Sequence, residues 1–563
     1  MLRVIIGASH ALSAGRGARI RAAGIISAVS ICMLVAACGS SSSSSSSAGA
    51  SANSGKQSSS GGGQAVSGSG GTVTIRAIDD LDTFNPAKTS APNLAVQSLI
   101  LGYDRLVYLT PSGKLEPYLA SSWKTTPNSV TLTIRKGPTC ADGTPMTASI
   151  VADSLRYEWS KSTNSPYLQY VLGPGQLKSI TADQAKNTVT ITLTKPYNAL
   201  VTALATAFPS SIICPAGLKN PKSLNSAPDG SGPYVLDKGK SQRGSTYVWH
   251  LRKDYNWGPG GWTAQKPGTP STIVERVVTD ETTAANLFQT GEVNIAPIFG
   301  INEQRIAANH SLYTFTTTAL QMGTWGTVFN QTAGRVGADP AVRHAVFLAL
   351  DSNAMVKAAF SNLGVVFNTM VTPNMQCYNP AVGDDTPGFN ISQAKSILKQ
   401  DGYSPGSGGT MTKNGKPLTL KIVQWNTTNQ LGEYMQEALQ KIGVSSTVQS
   451  TDINTWLDAL FTTKNYDLTT FAYYSSFPNP VIIPAQDSSL SIKDPKYFSL
   501  SQKAAETSGS GQCPAWDTAL RESLKNYNVK PMGVSKNVWF AHGWKFAAPY
   551  DVMVDPFTLQ KTQ

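Results

Sequence analysis

From Thr72 onward, short runs of period-two hydrophobicity alternate with runs of helical spacing, and no other feature constrains the fold as much. "SVTLTI", Ser129 to Ile134, puts Val130, Leu132 and Ile134 on one face of a strand. "TVTITL" (Thr188 to Leu193), "PLTLKIV" (Pro417 to Val423) and "YDLTTFAYY" (Tyr466 to Tyr474) read as further strands. The helices between them carry their own start and stop signals. Thr147 is an N-cap for a helix with Val151, Leu155 and Trp159 at i, i+4 and i+8. Asp339 followed by Pro340 starts another, and Asp452 caps a third with Ile453, Trp456, Leu457, Leu460 and Phe461 on its apolar face. "LGEYMQEALQKIG" stops at Gly443. This interleaving predicts an α/β, mixed α+β, protein with mixed sheets. At 563 residues the chain is too long for one core and should divide into two or three domains.

The segment before Thr72 cannot join such a core. Residues 1–37 have the parts of an export signal: a basic region ending at Arg21, then an uncharged apolar stretch from Ala22 to Ala37. That stretch is shorter than the ~20 residues needed to span a bilayer. Val35-Ala36-Ala37-Cys38 resembles the bacterial lipobox, in which the cysteine receives a diacylglycerol and becomes the first residue. Gly39 to Gly71 is Ser/Gly/Ala-rich with Lys56 its only charge, so residues 38–71 read as a lipid-anchored, disordered tether. Random-coil scaling gives such a tether a reach on the order of 30 Å.

The formal charge of +12 includes four arginines upstream of Cys38; without them 42 basic and 34 acidic residues remain, a net +8. No Lys/Arg run or basic stripe interleaved with aromatics follows, which argues against nucleic acid as a partner. Beyond the signal and the anchor, four cysteines remain: Cys140, Cys214, Cys377 and Cys513. An even number, wide spacing and no C-x-x-C favour two disulfides over a metal site, with three pairings open.

Enzyme templates fail on particular residues. "KGKS", Lys238 to Ser241, would need a phosphate-loop glycine where Tyr234 stands. The histidines His10, His250, His310, His344 and His542 are isolated, and no G-x-S-x-G elbow occurs. The carboxylate pairs Asp79-Asp80 and Asp384-Asp385 sit in loops and read as solvated turn residues. The chain therefore reads as a non-enzyme with no cofactor.

"LTIRKGPTCADGTPMTASIVADSL", Leu132 to Leu155, resembles the signature of family 5 extracellular solute-binding proteins, the dipeptide/oligopeptide-type receptors of ABC importers. Arg135, Gly137, Asp142, Gly143, Pro145, Thr147, Ala148, Val151 and Ser154 agree with it; Cys140 replaces an aromatic and Ile150 an acid. "GKLEPYLASSWK", "GSGPYVL", "LFQTGEVNIA" and the stretch from Phe329 to Phe360 resemble further blocks in the same order.

The resemblance implies a two-lobed, hinged periplasmic-binding-protein-like fold of type II, cluster C, with an extra N-terminal subdomain. By analogy residues 72–95, 215–309 and 530–563 form lobe I, 96–214 its subdomain and 310–529 lobe II. The cysteine pairing that keeps each bridge inside one of these units is Cys140–Cys214 and Cys377–Cys513. The implied protein is a monomer on the extracellular face of the membrane (periplasmic if an outer membrane exists). It captures a peptide or peptide-like solute and presents it to an ABC permease and its ATPase subunits. A ligand sensor or cell-wall scaffold on the same fold is the second reading.

Clefts of this kind are aromatic-lined with a few orienting polar groups. The resemblance points to Trp325 and Asn330 on a cleft strand and to Tyr473, Tyr474, Phe477 and Asn479 in "FAYYSSFPNP". Trp425 lies just past a strand end, and Phe84 and Asn85 lie near the end of the first strand. Trp123 and Trp456 read as core. Peptide receptors of the family place an aspartate four residues before the proline matching Pro480, to pair with the peptide's α-ammonium; here Ser476 stands there. A serine cannot neutralise a desolvated cation. The expected ligand is therefore a blocked or modified peptide, or a non-peptide such as an oligosaccharide or metal chelate.

Overall fold

The computed structural model of the chain describes residues 70–89, 92–166, 168–173, 176–205, 209–320, 323–360, 363–425, 429–473, 479–548 and 553–562. The export signal, Cys38 and almost all of the tether lie outside them, as do Tyr474, Ser476 and Phe477. Strand β1 (Thr72–Ala77) comes first, with Val73 and Ile75 buried. Next comes a separate antiparallel unit of β2 (Ala120–Thr126), β3 (Ser129–Ile134), helix α1 (Ala148–Glu158), β4 (Leu177–Asp183) and β5 (Thr188–Leu193). Its strands run in the order β2–β3–β5–β4. Val130, Leu132 and Ile134 point into its core beside Val151 and Leu155 of α1. Thr147 caps α1, its Oγ1 accepting from the Ile150 N–H at 3.3 Å.

The chain then adds β6 (Tyr234–Leu236), β7 (Thr246–Leu251), β8 (Thr272–Val277), β9 (Ile295–Ile298), β10 (Phe315–Leu320), β11 (Trp325–Phe329), helix α2 (Pro340–Ala349) and β12 (Gly364–Val366). After these come β13 (Thr419–Trp425), α3 (Asn429–Gln440), β14 (Ser445–Thr451), α4 (Ile453–Phe461) and β15 (Leu468–Ala472). Helices α5 (Ile482–Ser489), α6 (Pro495–Glu506) and α7 (Gln512–Lys525) precede the long strand β16 (Val529–Ala541). The main sheet has the order β14–β13–β15–β11–β16–β9–β1–β8–β7–β6, with β10 and β12 also paired to β16. On β13, Leu420 and Ile422 pack in one cluster with Val346 of α2 and Leu431 and Met435 of α3. Val423, on the opposite face, packs with Trp456 and Leu460 of α4. Helices thus cover both faces, the arrangement that buries parallel strands such as β13, β14 and β15.

Strand β16 belongs to both halves of this sheet. Its first half pairs with β11 and β12, from Val529 opposite Val328 to Ser535 opposite Gly364. Its second half pairs with β9 and β10, from Lys536 opposite Leu320 to Ala541 opposite Ile295 and Phe315. The passage between lobes therefore lies inside β16, a few residues past the boundary at 529/530 expected from the resemblance. Strand β10, assigned by analogy to lobe II, pairs with the same half of β16 as β9 does. The chain end returns to the first lobe: Trp544, Phe546, Met553 and Val554 are buried in the cluster that holds Val73 and Ile75. The structure pairs Cys140 with Cys214 (Cα–Cα 6.1 Å) and Cys377 with Cys513 on α7 (Cα–Cα 4.8 Å).

Candidate ligand cleft

Strand polarity fixes where a solute can sit. β13 and β15 run parallel and end at Trp425 and Ala472. β11 runs against both β15 and β16 and starts at Trp325, opposite Ala472 and Gly533. In the other half β1, β8 and β9 run parallel to one another and antiparallel to β16, so Ile298 lies opposite Val538. The carboxyl ends of the parallel strands in both halves thus point to the stretch of β16 between Gly533 and Val538. Open α/β sheets bind ligands outside such ends.

Three lobe II candidates converge there. Trp325 starts β11, nearly buried and edge-on to Phe360 with ring centroids 6.0 Å apart. Trp425 closes β13, half-buried, as the outer rung of an aromatic ladder. Its ring stacks on Trp456 (6.4 Å, 23°), which stacks on Phe471 (5.8 Å, 26°). The ladder is fixed from behind: Trp456 Nε1–H donates to Thr469 Oγ1 at 3.2 Å, and that hydroxyl donates to the Val423 carbonyl at 2.7 Å. Trp456 is core, as its helical face predicts, and Trp123 packs partly buried against the large cluster.

Tyr473 reaches the same end of the sheet, but its ring turns inward and is fully buried, edge-on to Phe471. Its hydroxyl donates to Asp487 of α5, which also accepts from Tyr497 of α6 at 2.6 Å. Burial pushes the Asp487 carboxyl up to about 7 against the pull of the two tyrosine donors. Tyr473 is therefore committed to the buried Asp487 rather than offering a free hydroxyl.

Two asparagines lie elsewhere. Asn330 follows the far end of β11, fully buried, with Nδ2 donating to the Lys464 carbonyl at 3.0 Å and Oδ1 accepting from the Thr332 N–H. It closes a turn away from the lobe crossing, because β11 runs out of the cleft and not into it. Asn479 is also fully buried, its Nδ2 donating to Gln376 Oε1 at 2.8 Å. In the first lobe, Phe84 lies edge-on to Tyr247 (5.6 Å) and Trp249 (6.0 Å). It lines a cavity of about 260 Å³ with Tyr247, Lys238 and Arg243 among its walls. Asn85 is buried, with Nδ2 donating to the Tyr157 hydroxyl at 2.8 Å and Oδ1 accepting from the Ala87 N–H.

The backbone at the crossing is tightly specified. Gly533 sits at φ +151°, and a Cβ there would meet the Val365 carbonyl oxygen at 2.2 Å. The register of β11 against β16 shifts beside it, between Trp325 and Gly326. Lys530, buried on β16, donates to the Pro387 carbonyl at 2.6 Å, and burial lowers its pKa to about 8. None of this was visible in the sequence, because each contact joins residues far apart in the chain.

A two-lobed body joined through a shared strand, with strand ends facing the crossing, defines a solute-binding protein. Residues 114–489 match the family described as Bacterial extracellular solute-binding proteins, family 5 Middle, and the chain belongs to that family. This is a family of receptors, not of enzymes. The chain is similar to the nickel-binding periplasmic protein of Escherichia coli K12, 26% identical over 375 residues that cover 63% of this chain and 66% of that one. Glutathione-binding protein GsiB of the same strain is 27% identical over 359 residues, 62% of this chain and 64% of its own. These matches thus span slightly less than two thirds of either relative. A substrate-binding protein from Microbacterium hydrocarbonoxydans, solved with 4-hydroxybenzoate hydrazide, superposes with a TM-score of 0.67 at 26% identity, covering 87% of this chain and all of that one.

Proposed function

We propose that this protein is the lipid-anchored receptor of an ABC importer. Acylation at Cys38 holds it to the outer face of the membrane, and the tether lets the body reach a permease served by ATPase subunits. The observation that carries the reading is the convergence of parallel strand ends from both lobes on the split strand β16. Output in such a body is a population shift: a solute that touches both lobes favours the closed form by its differential affinity. No bond is made or broken.

For the solute, the relatives name nickel, glutathione and an aromatic hydrazide, three unlike chemistries, so the choice rests on this chain's own residues. The half-buried Trp425 ring is held flat by two rings behind it, which suits a planar or ring-bearing ligand. Serine at 476 supplies no counter-charge for a free α-ammonium. The proposed ligand is accordingly a blocked or modified peptide, or a non-peptide with a flat group or sugar ring. Titration calorimetry with a library of di- to pentapeptides, each free and N-acetylated, tests this. Micromolar binding that depends on a free amine would overturn it. Metabolites released from protein purified from its native membrane, identified by mass, would name the solute.

A further inference from the structure

The small four-stranded unit touches helix α6 and the segment around Gln376 through side-chain and backbone hydrogen bonds. Asn198 follows β5. Its backbone N–H donates to the Ala505 carbonyl at 2.8 Å, and its Nδ2 donates to the Ala504 carbonyl at 2.6 Å and to the Thr507 carbonyl. Ala504 and Ala505 lie in the last turn of α6, where carbonyls run out of i+4 donors; the Ala504 carbonyl also accepts from the Thr507 N–H at 3.2 Å. An asparagine of one unit thus caps a helix of the other, 306 residues away in sequence.

A second bridge runs beside it. Gln376 Nε2–H donates to Thr202 Oγ1 at 3.0 Å, and Gln376 Oε1 accepts from Asn479 Nδ2 at 2.8 Å. Thr202 stands four residues after Asn198. Gln376 is aimed by its neighbour: Cys377 is held at φ +60° and bonded to Cys513 of α7. Apolar side chains from both sides, Leu193 and Leu200 on one, Met375 and Ile482 on the other, belong to one continuous buried cluster.

We propose that Asn198 and Thr202 form a latch that sets the open–closed balance of the receptor independently of the solute. They are positioning residues, since their hydrogen bonds run from one unit to the other. The rationale is a difference in hydrogen bonding between the two forms. When the lobes part, the α6 carbonyls and the Gln376 amide turn to water, so each bond returns only part of its strength. The latch is also incomplete: Asn198 Oδ1 is buried with no hydrogen-bond partner among the described residues. A closed form biased by a few modest bonds and debited by one orphan acceptor can be reopened, as an import cycle needs. Helix α6 ties the latch to the cleft. Its first turn carries Tyr497, joined through Asp487 to Tyr473 just past the end of β15, and its last turn carries the carbonyls that Asn198 caps.

The inference rests on the two-lobed reading but not on what the solute is, and its test needs no solute. Spin labels at Lys186→Cys in the small unit and Lys399→Cys on the second lobe report the interlobe distance by pulsed dipolar spectroscopy. In the ligand-free protein the short-distance fraction should be appreciable. Asn198→Asp, which turns a side-chain donor toward two carbonyls into a carboxylate, should lower the closed-to-open ratio at least tenfold, equivalent to about 1.4 kcal/mol. Thr202→Val, which keeps shape and removes the acceptor, should shift it in the same direction by less. Neither should move the denaturant midpoint of the ligand-free protein as a core substitution would. If Asn198→Asp fails to fold, Thr202→Val and Asn198→Ala carry the test. Folded variants with an unchanged distance distribution would overturn the latch, whether or not peptide binding behaves as proposed.

Discussion

Gly533→Ala is the sharpest test of the crossing on β16. At φ +151° the glycine occupies backbone space that side chains rarely enter, a cost of about 1–3 kcal/mol for any other residue. The new methyl would also stand 2.2 Å from the Val365 carbonyl oxygen and 2.7 Å from Val356 Cγ2. The first neighbour is backbone, paired to β16 through β12, and cannot swing aside. Overpacking of this kind adds ~1–3 kcal/mol. The two together predict a loss of roughly 2–6 kcal/mol, a large share of the about 5–15 kcal/mol that holds most domains folded. Guanidinium unfolding followed by far-ultraviolet circular dichroism should show the midpoint fall, with the loss centred on the lobe-joining sheet in hydrogen exchange. Because the same residue faces Trp325, the variant that remains folded should also close poorly on its solute. A Gly533→Ala protein with wild-type midpoint and wild-type exchange at β11, β12 and β16 would mean that the strand is not pinned at this point, and the account of the crossing would be wrong.

Asp487→Asn should change the pH dependence of stability. The folded carboxyl is raised to about 7, so its ionisation penalises the native state progressively as pH rises from about 4 to about 7. The amide cannot ionise, so stability relative to wild type should improve across that window and be flat above it; an unchanged difference between pH 4 and pH 7 contradicts this. Trp456→Ala should cost about 3–5 kcal/mol as a buried ring whose loss also removes the donor to Thr469 Oγ1 at the ladder's back. Trp425→Ala, half-buried at the outer rung, should cost clearly less stability yet reduce the quenching of tryptophan emission by bound solute. Equal stability losses would place Trp425 in the core and not at the cleft.

What the sequence made legible was local, and its failures share one cause. The Thr147 and Asp339 caps, the buried face of β3 and the Trp456, Leu457, Leu460 and Phe461 part of the α4 stripe all depend on residues a few positions apart, and each formed as spacing predicted. Asn330 shows the limit. Period two tells which face a residue takes but not which end of the strand meets the cleft, and β11 runs away from the crossing toward Asn330. Asn479 lies in a segment the resemblance points to and Asn198 in an unremarkable loop; only the fold shows that the first bonds Gln376 and the second a helix end. Asp487 did leave a trace, the one charged residue between Val481 and Ile492, a stretch that begins with the apolar Val481 to Ala485; a buried acid there calls for hydroxyl partners. The same logic separates the two kinds of residue a clamp requires. Groups that meet the solute sit at strand ends and can be guessed from position, whereas groups that set how readily the clamp shuts lie where two distant segments touch, and their identity follows only from the closed geometry.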